Sequence, residues 1–155
     1  MTDRQPVSRD QLLSCLSVPR WADDVLAGEP YADRDAAVAR ADAAARALTD
    51  HELDQALSGH PRIGERGGPG MSAASQREQA GVDPAAGDTA ARLAAGNAAY
   101  EARFGRVFLI RAAGRDAEAI LAELDRRLGN DDTTERAETV DNLRQIALLR
   151  LEALL

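Results

Sequence analysis

Apolar residues in this chain recur at helical spacing almost from end to end. Ser8 followed three residues later by Gln11 is a capping-box pattern, which predicts a short helix over 8–17. Pro19 suits a first helical position and predicts a second helix to Gly28, broken by Pro30 and Tyr31. Asp33 can cap a longer, alanine-rich helix to Leu48. In it Ala37, Arg40 or Ala41, and Ala44 follow one face, and small residues there would allow close packing. Thr49 or Asp50 starts a helix that runs to Leu57 and stops at Ser58-Gly59, with Gly59 where a left-handed backbone is favoured.

The second half continues in the same way. A loop ends in Gly67-Gly68-Pro69-Gly70, which cannot be regular structure. Ser72 then caps a helix closed by Gly81, and Asp88 or Thr89 opens another that Gly105 ends. Residues 106–111 have the one strand-like pattern in the chain. They are too short and isolated to make a sheet, so they read as an extended segment. Asp116 caps a helix to Leu128, with Gly129 as its stop. Thr133 or Thr134 with a following acid starts the last helix, whose apolar stripe is Val140, Leu143, Ala147, Leu151 and Leu154. At ~1.5 Å per residue that helix spans about 30 Å, the width of a small domain. No repeat or linker divides the pattern. The expectation is an all-α fold: one compact domain over residues 1–155, of about seven or eight helices with one short extended segment.

Composition narrows the chemistry. Apolar residues make up 45% and aromatics only 3%, so the core must be built from Leu, Ala, Val and Ile. All 19 basic residues are arginine. Without lysine there is no Schiff base, no lysine nucleophile and no phosphate-binding P-loop lysine. The net charge of −7, with no basic run, argues against nucleic acid. The single Cys15 excludes an internal disulfide, and among Leu12, Leu13 and Leu16 it reads as a plain buried thiol. No stretch approaches the ~18 apolar residues of a membrane span, and residues 1–6 lack the apolar core of a signal peptide. A cytoplasmic protein with no membrane association is the expectation.

Two histidines leave few places for proton transfer near neutral pH. His60 lies between Gly59 and Pro61. Proline fixes its own φ and restricts the residue before it, so the imidazole would be rigidly aimed. A cap or packed side chain is the plainer reading of a lone histidine after a helix stop. His51, mid-helix beside Glu52, has no such framing and reads as surface or partly packed. Ser75, Glu78 and Gln79 share one helix face and offer a hydroxyl, a carboxylate and an amide. By spacing alone, solvated surface is the simpler reading of that face. His51-Glu52-Leu53-Asp54 lacks the second histidine of a zincin helix, so no metal site is expected. No Gly-x-Ser-x-Gly elbow occurs, and no strand precedes the glycine-rich loop, so neither a serine hydrolase nor a nucleotide loop fits.

Taken together the motifs resemble a known family. They are Gly59-His60-Pro61-Arg62-Ile63-Gly64-Glu65, then Ser75-x-x-Glu78-Gln79-Ala80-Gly81, then Asn97-x-x-Tyr100-Glu101-x-Arg103-Phe104-Gly105. Phe108-Leu109-Ile110-Arg111-Ala112-Ala113-Gly114-Arg115 completes the set. In this order they resemble the OHCU decarboxylase family, OHCU being 2-oxo-4-hydroxy-4-carboxy-5-ureidoimidazoline, an intermediate of urate breakdown. The resemblance runs from the first helix to Arg150-Leu151 and implies an all-α fold, usually a homodimer. It also implies a cofactor-free decarboxylation giving (S)-allantoin. The family's catalytic histidine falls on His60 and its substrate-contacting proline on Pro61. Its Ser-x-x-Glu-Gln segment falls on Ser75, Gln76, Arg77, Glu78 and Gln79. The segment that lines the pocket with backbone groups falls on Ile110, Arg111, Ala112, Ala113 and Gly114. A C-terminal arginine falls on Arg150. The Arg66–Met71 loop departs from the family in being unusually rich in glycine.

The implied substrate carries its carboxylate on a carbon next to a C=N bond. That bond can receive the electrons left by departing CO2, so no cofactor and no metal are required. His60 would then serve as acid or base and Glu78 as its orienting hydrogen-bond partner. Ser75, Gln79 and backbone groups from 110–114 would orient the ureido and ring amides. Arg150 fits either a bidentate pair with the carboxylate or an ion pair on the helix surface. Tyr100, Phe104 and Phe108 could wall a pocket, but core packing is the simpler job for at least two of them. The alternatives are a catalytically silent helical interaction module that keeps the fold, or a decarboxylase of a related ureido acid. A pathway association with hydroxyisourate hydrolase is a further implied partnership.

Overall fold

Local capping sets most of the helix boundaries. The structure, a computed structural model, describes residues 7–58, 60 and 87–155. Ser8 caps α1 (Arg9–Cys15) through a complete capping box with Gln11. Pro19 occupies the first turn of α2 (Pro19–Ala27). Asp33 accepts from the Ala36 amide and opens α3 (Arg34–Arg46). Thr49, not Asp50, caps α4 (Asp50–Leu57), because Glu52 reaches back to the Thr49 amide to complete a second box. Helix α5 (Gly87–Phe104) ends where Gly105 takes a φ of 72°, a left-handed conformation that suits glycine. Asp116 caps α6 (Ala117–Leu128), and α7 (Asp132–Leu154) runs to the end.

Two boundary expectations need correcting. Asp131, rather than Thr133 or Thr134, caps α7 by accepting from the Thr134 amide. Aspartate outranks threonine as an N-cap, and the acid stood two residues upstream. The buried stripe of α7 also differs. Leu143, Ala147 and Leu151 are buried as expected, but Leu154 is 40% exposed and the stripe continues upward through Thr139 to Glu135. The helix expected over 72–81 lies outside the described residues. Among those residues the architecture is seven helices and no strand.

The helices enclose two apolar clusters. The larger joins α1, α2, α3 and α4 to the C-terminal half of α7, around Leu12, Leu16, Trp21, Leu53, Leu143 and Leu151. Small residues let α3 approach its neighbours, and the buried Trp21 indole donates to the Ala41 carbonyl at 2.9 Å. The second cluster joins α5 and α6 around Leu93, Tyr100, Ile120 and Leu124. Gly96 makes that contact close: a Cβ there would lie 2.3 Å from Leu124 Cδ2.

The segment between α5 and α6 runs along the seam. Phe108, Ile110 and Ala112 point into the second cluster, whereas Leu109 points into the first. That alternation is the period of an extended chain. Tyr100 and Phe108 are core residues, and Phe104 packs against the same cluster, so the aromatic residues serve the core.

A buried polar group ties α5, α6 and α7 together. The Arg127 guanidinium is completely buried and donates to Glu135 Oε1 from Nε (2.8 Å) and Nη2 (2.5 Å). It also donates to the Leu109 carbonyl (2.7 Å) and to Thr139 Oγ1 (3.3 Å). The Tyr100 hydroxyl donates to Glu135 at 2.5 Å, and Asn130 donates to the other carboxylate oxygen at 3.0 Å. The guanidinium lies 4.7 Å from the Phe108 ring centroid, within cation–π range. Burial first, then the bond to Glu135, pushes the Tyr100 hydroxyl up to about 12.

Candidate active site

His60 follows the end of α4, where its backbone amide donates to the Leu57 carbonyl at 3.0 Å. The residue keeps some exposed surface, yet protein atoms crowd its ring. Burial first, and then the Arg150 guanidinium, lower its pKa from the ordinary 6.5 to about 4. A helix C-terminus favours an imidazolium by only ~0.3–1 kcal/mol, too little to reverse that drop. His60 is therefore a neutral imidazole at neutral pH, a hydrogen-bond acceptor and a base held beside a cation. His51 is exposed on α4, as expected.

Arg150 projects from the C-terminal half of α7 and reaches two other elements. It donates to the Ser14 carbonyl at the end of α1 at 3.4 Å, and its charge is felt by both His60 and Cys15. Burial pushes the Cys15 thiol up to about 11, with Arg150 and Ser14 offsetting part of the rise. The thiol donates to the Gln11 carbonyl, so it is protonated and inert at neutral pH.

The segment after α5 contributes in a different way. Ile110 and Ala112 bury their side chains in the second cluster, which leaves only their backbone groups for a ligand. The Arg111 amide donates to Asn142 Oδ1 at 3.0 Å. Ala113 is half-buried, and Gly114 is exposed with a φ of 79° at a turn that the Arg115 amide closes onto the Ala112 carbonyl. The Nε atoms of Arg111 and Arg115 are buried and have no hydrogen-bond partner among the described residues.

The structure thus brings His60 and Arg150 into electrostatic contact. Pro61, Ser75, Gln76, Arg77, Glu78 and Gln79 lie outside the described residues, as does Gly59. Asn142 and Arg127 were not among the sequence candidates. Asn142 is a polar residue in the midst of α7 and Arg127 one in the last turn of α6, and no hydrophobic period marks them. Among the described residues no three His, Cys, Asp or Glu side chains cluster as metal ligands, and no helix is long and apolar enough to cross a membrane.

The family model of OHCU decarboxylase matches residues 4–152. The chain belongs to the OHCU decarboxylase family. It is 35% identical over 88 residues to a 2-oxo-4-hydroxy-4-carboxy-5-ureidoimidazoline decarboxylase of Amia calva, covering 57% of this chain and 50% of that protein. It is 34% identical over 102 residues to one of Haloferax volcanii, covering 63% of this chain and 58% of that protein. The chain therefore spans about half the length of these curated relatives. Its fold superposes on a crystal structure of OHCU decarboxylase in the presence of (S)-allantoin with a TM-score of 0.78. That match has 23% identity and covers 94% of this chain and 96% of the other. A crystal structure of (S)-allantoin synthase gives a TM-score of 0.72 at 14% identity, covering 97% of this chain and 51% of the other. At these identities the likeness bears on the OHCU decarboxylase fold, which is all-α.

Proposed function

We propose that this OHCU decarboxylase family member converts OHCU to (S)-allantoin without a cofactor. The observation that carries the reading is the neutral His60 imidazole set against the Arg150 cation. A cation beside a neutral base suits an anionic substrate that loses its carboxylate and then gains a proton. Arg150 pairs with the carboxylate, and the arriving negative charge favours a proton on His60.

The reaction balances with one proton taken up for the CO2 released. The bond to CO2 breaks, and its electron pair forms a C=C bond to the neighbouring ring carbon. The C=N pair moves onto nitrogen, which takes a proton. The resulting enol returns to a carbonyl as it gives up its hydroxyl proton, and the carbon bearing the ureido group is protonated from one face. His60 is the group we assign to that proton traffic, with Glu78 orienting the imidazole. Pro61 and Ser75 through Gln79 complete the binding wall. Backbone groups of Ile110, Arg111, Ala112, Ala113 and Gly114 bind the ureido and ring amides.

The same reading takes the protein as a cytoplasmic homodimer acting beside hydroxyisourate hydrolase, which makes its substrate. Leu149 and Leu154, both exposed on α7, are available to such an interface.

The test is a coupled assay in which urate oxidase and hydroxyisourate hydrolase generate the substrate in place. Circular dichroism follows the chirality of the allantoin. Fast formation of the optically active product is expected. Racemic product at the uncatalysed rate would favour the silent helical module.

A further inference from the structure

The segment 108–112 behaves as a β-strand whose neighbour on one edge has been replaced by side chains. Its side chains alternate between the two apolar clusters. On one edge, the Leu109 carbonyl accepts from Arg127 Nη1 (2.7 Å) and the Arg111 amide donates to Asn142 Oδ1 (3.0 Å). These two groups flank Ile110 and are the pair that an adjacent strand would engage. In an extended chain the amide and carbonyl of the intervening residue face the opposite edge. Among the described residues no hydrogen bond engages the Ile110 backbone.

We propose that Arg127 and Asn142 are positioning residues that hold this segment, so that the Ile110 amide and carbonyl form a fixed donor–acceptor pair for the substrate. The inference rests on the decarboxylase reading above and adds to it the source of the segment's rigidity. A single amide donor beside a carbonyl acceptor matches a ureido or ring amide, which offers one acceptor and one donor side by side. Arg127 is itself immobilised by Glu135, Thr139 and the Phe108 ring, so the Leu109 carbonyl is tied to a point fixed by α6 and α7. Asn142 is fixed in turn by its own amide, which donates to the Glu138 carbonyl at 2.9 Å.

The test uses Asn142, which is half-buried and lies outside the Arg127 cluster. Asn142→Ala removes the acceptor for Arg111, whereas Asn142→Asp keeps an acceptor oxygen at the same place. Both are compared with the wild-type chain in the coupled assay and by amide hydrogen exchange. Asn142→Ala is expected to lower kcat/KM roughly 10- to 100-fold, as a misplaced binding wall does, and to reduce the enantiomeric excess of allantoin. It should also speed exchange at Arg111 while the α7 amides stay protected. Asn142→Asp keeps the acceptor for Arg111 but not the amide that donates to Glu138, so it should restore slow exchange at Arg111 and part of the turnover. Arg127→Lys, where it folds, should behave like Asn142→Ala.

Asn142→Ala with wild-type kinetics and chirality would overturn the proposal. So would lost activity with unchanged exchange at Arg111, or equal losses in the Ala and Asp variants. An inactive wild-type chain would instead overturn the decarboxylase reading, and this inference with it.

Discussion

Arg127 and His60 are both crowded by protein, yet they sit in opposite kinds of surroundings. Arg127 is fully buried and meets a carboxylate, a hydroxyl, a carbonyl and an aromatic face. The neutral His60 imidazole meets burial and, among the described residues, the positive charge of Arg150. A buried cation that is fully paired fixes structure, because removing its partner leaves an uncompensated charge. A base kept neutral beside a cation is poised to respond when an anion arrives. On the proposed function, organisation of the fold and reactivity lie at different places along α7, with Glu135 and Thr139 near the start of that helix and Arg150 near its end.

The largest effect that separates the two regions concerns turnover. His60→Ala should lower kcat by ~10²- to 10⁴-fold in the coupled assay and leave the helical circular dichroism unchanged. Arg127→Met should act mainly on the fold, with only the roughly 10- to 100-fold loss of kcat/KM expected when the 108–112 segment loses its anchor. It is expected to lose about 3–5 kcal/mol of stability by urea denaturation, because Glu135 stays buried without its partner. Combining it with Glu135→Leu should recover most of that loss, and a double variant no better than the single would break the comparison. Tyr100→Phe removes one hydrogen bond to the same carboxylate and should cost ~1.5–3 kcal/mol.

Smaller effects sharpen the contrast. The folded-state pKa of His60 lies below its ordinary value, so the unfolded chain binds the proton first as pH falls. The stability tied to His60 is therefore full above 6.5, declines as pH drops towards about 4, and falls no further below that. The stability of wild type minus that of His60→Gln, followed by urea denaturation against pH, should show this slope. Asp131→Ala removes the α7 cap and should cost ~1 kcal/mol in the same measurement.

What the sequence revealed follows the range of each interaction. Ser8, Asp33, Thr49 and Asp116 cap their helices through contacts three residues away, so a local pattern was enough to find them. Asp131 was missed because two threonines close behind it offered the same pattern. Arg127, Glu135 and Thr139 were illegible for a different reason. A hydrophobic period has no way to register a buried charge, and these residues meet only when α6 folds against α7. The strand-like run at 106–111 was correctly read as extended, but nothing local showed that Arg127 and Asn142 would stand in for a neighbouring strand. His60 stood out by its place between Gly59 and Pro61, whereas Arg150 became a candidate only through the ordered motifs. Arg150 reaches the region of His60 because α7 packs against α1, where the guanidinium donates to the Ser14 carbonyl.

The most direct test of the central claim is an NMR titration of the His60 ring, with His51→Gln used to assign the two histidine signals. A midpoint near 4 is expected, rising but staying below 6.5 in Arg150→Met, because burial is the larger cause. A wild-type midpoint at or above 6.5 would contradict the account, because His60 would then be neither crowded from water nor held neutral beside Arg150.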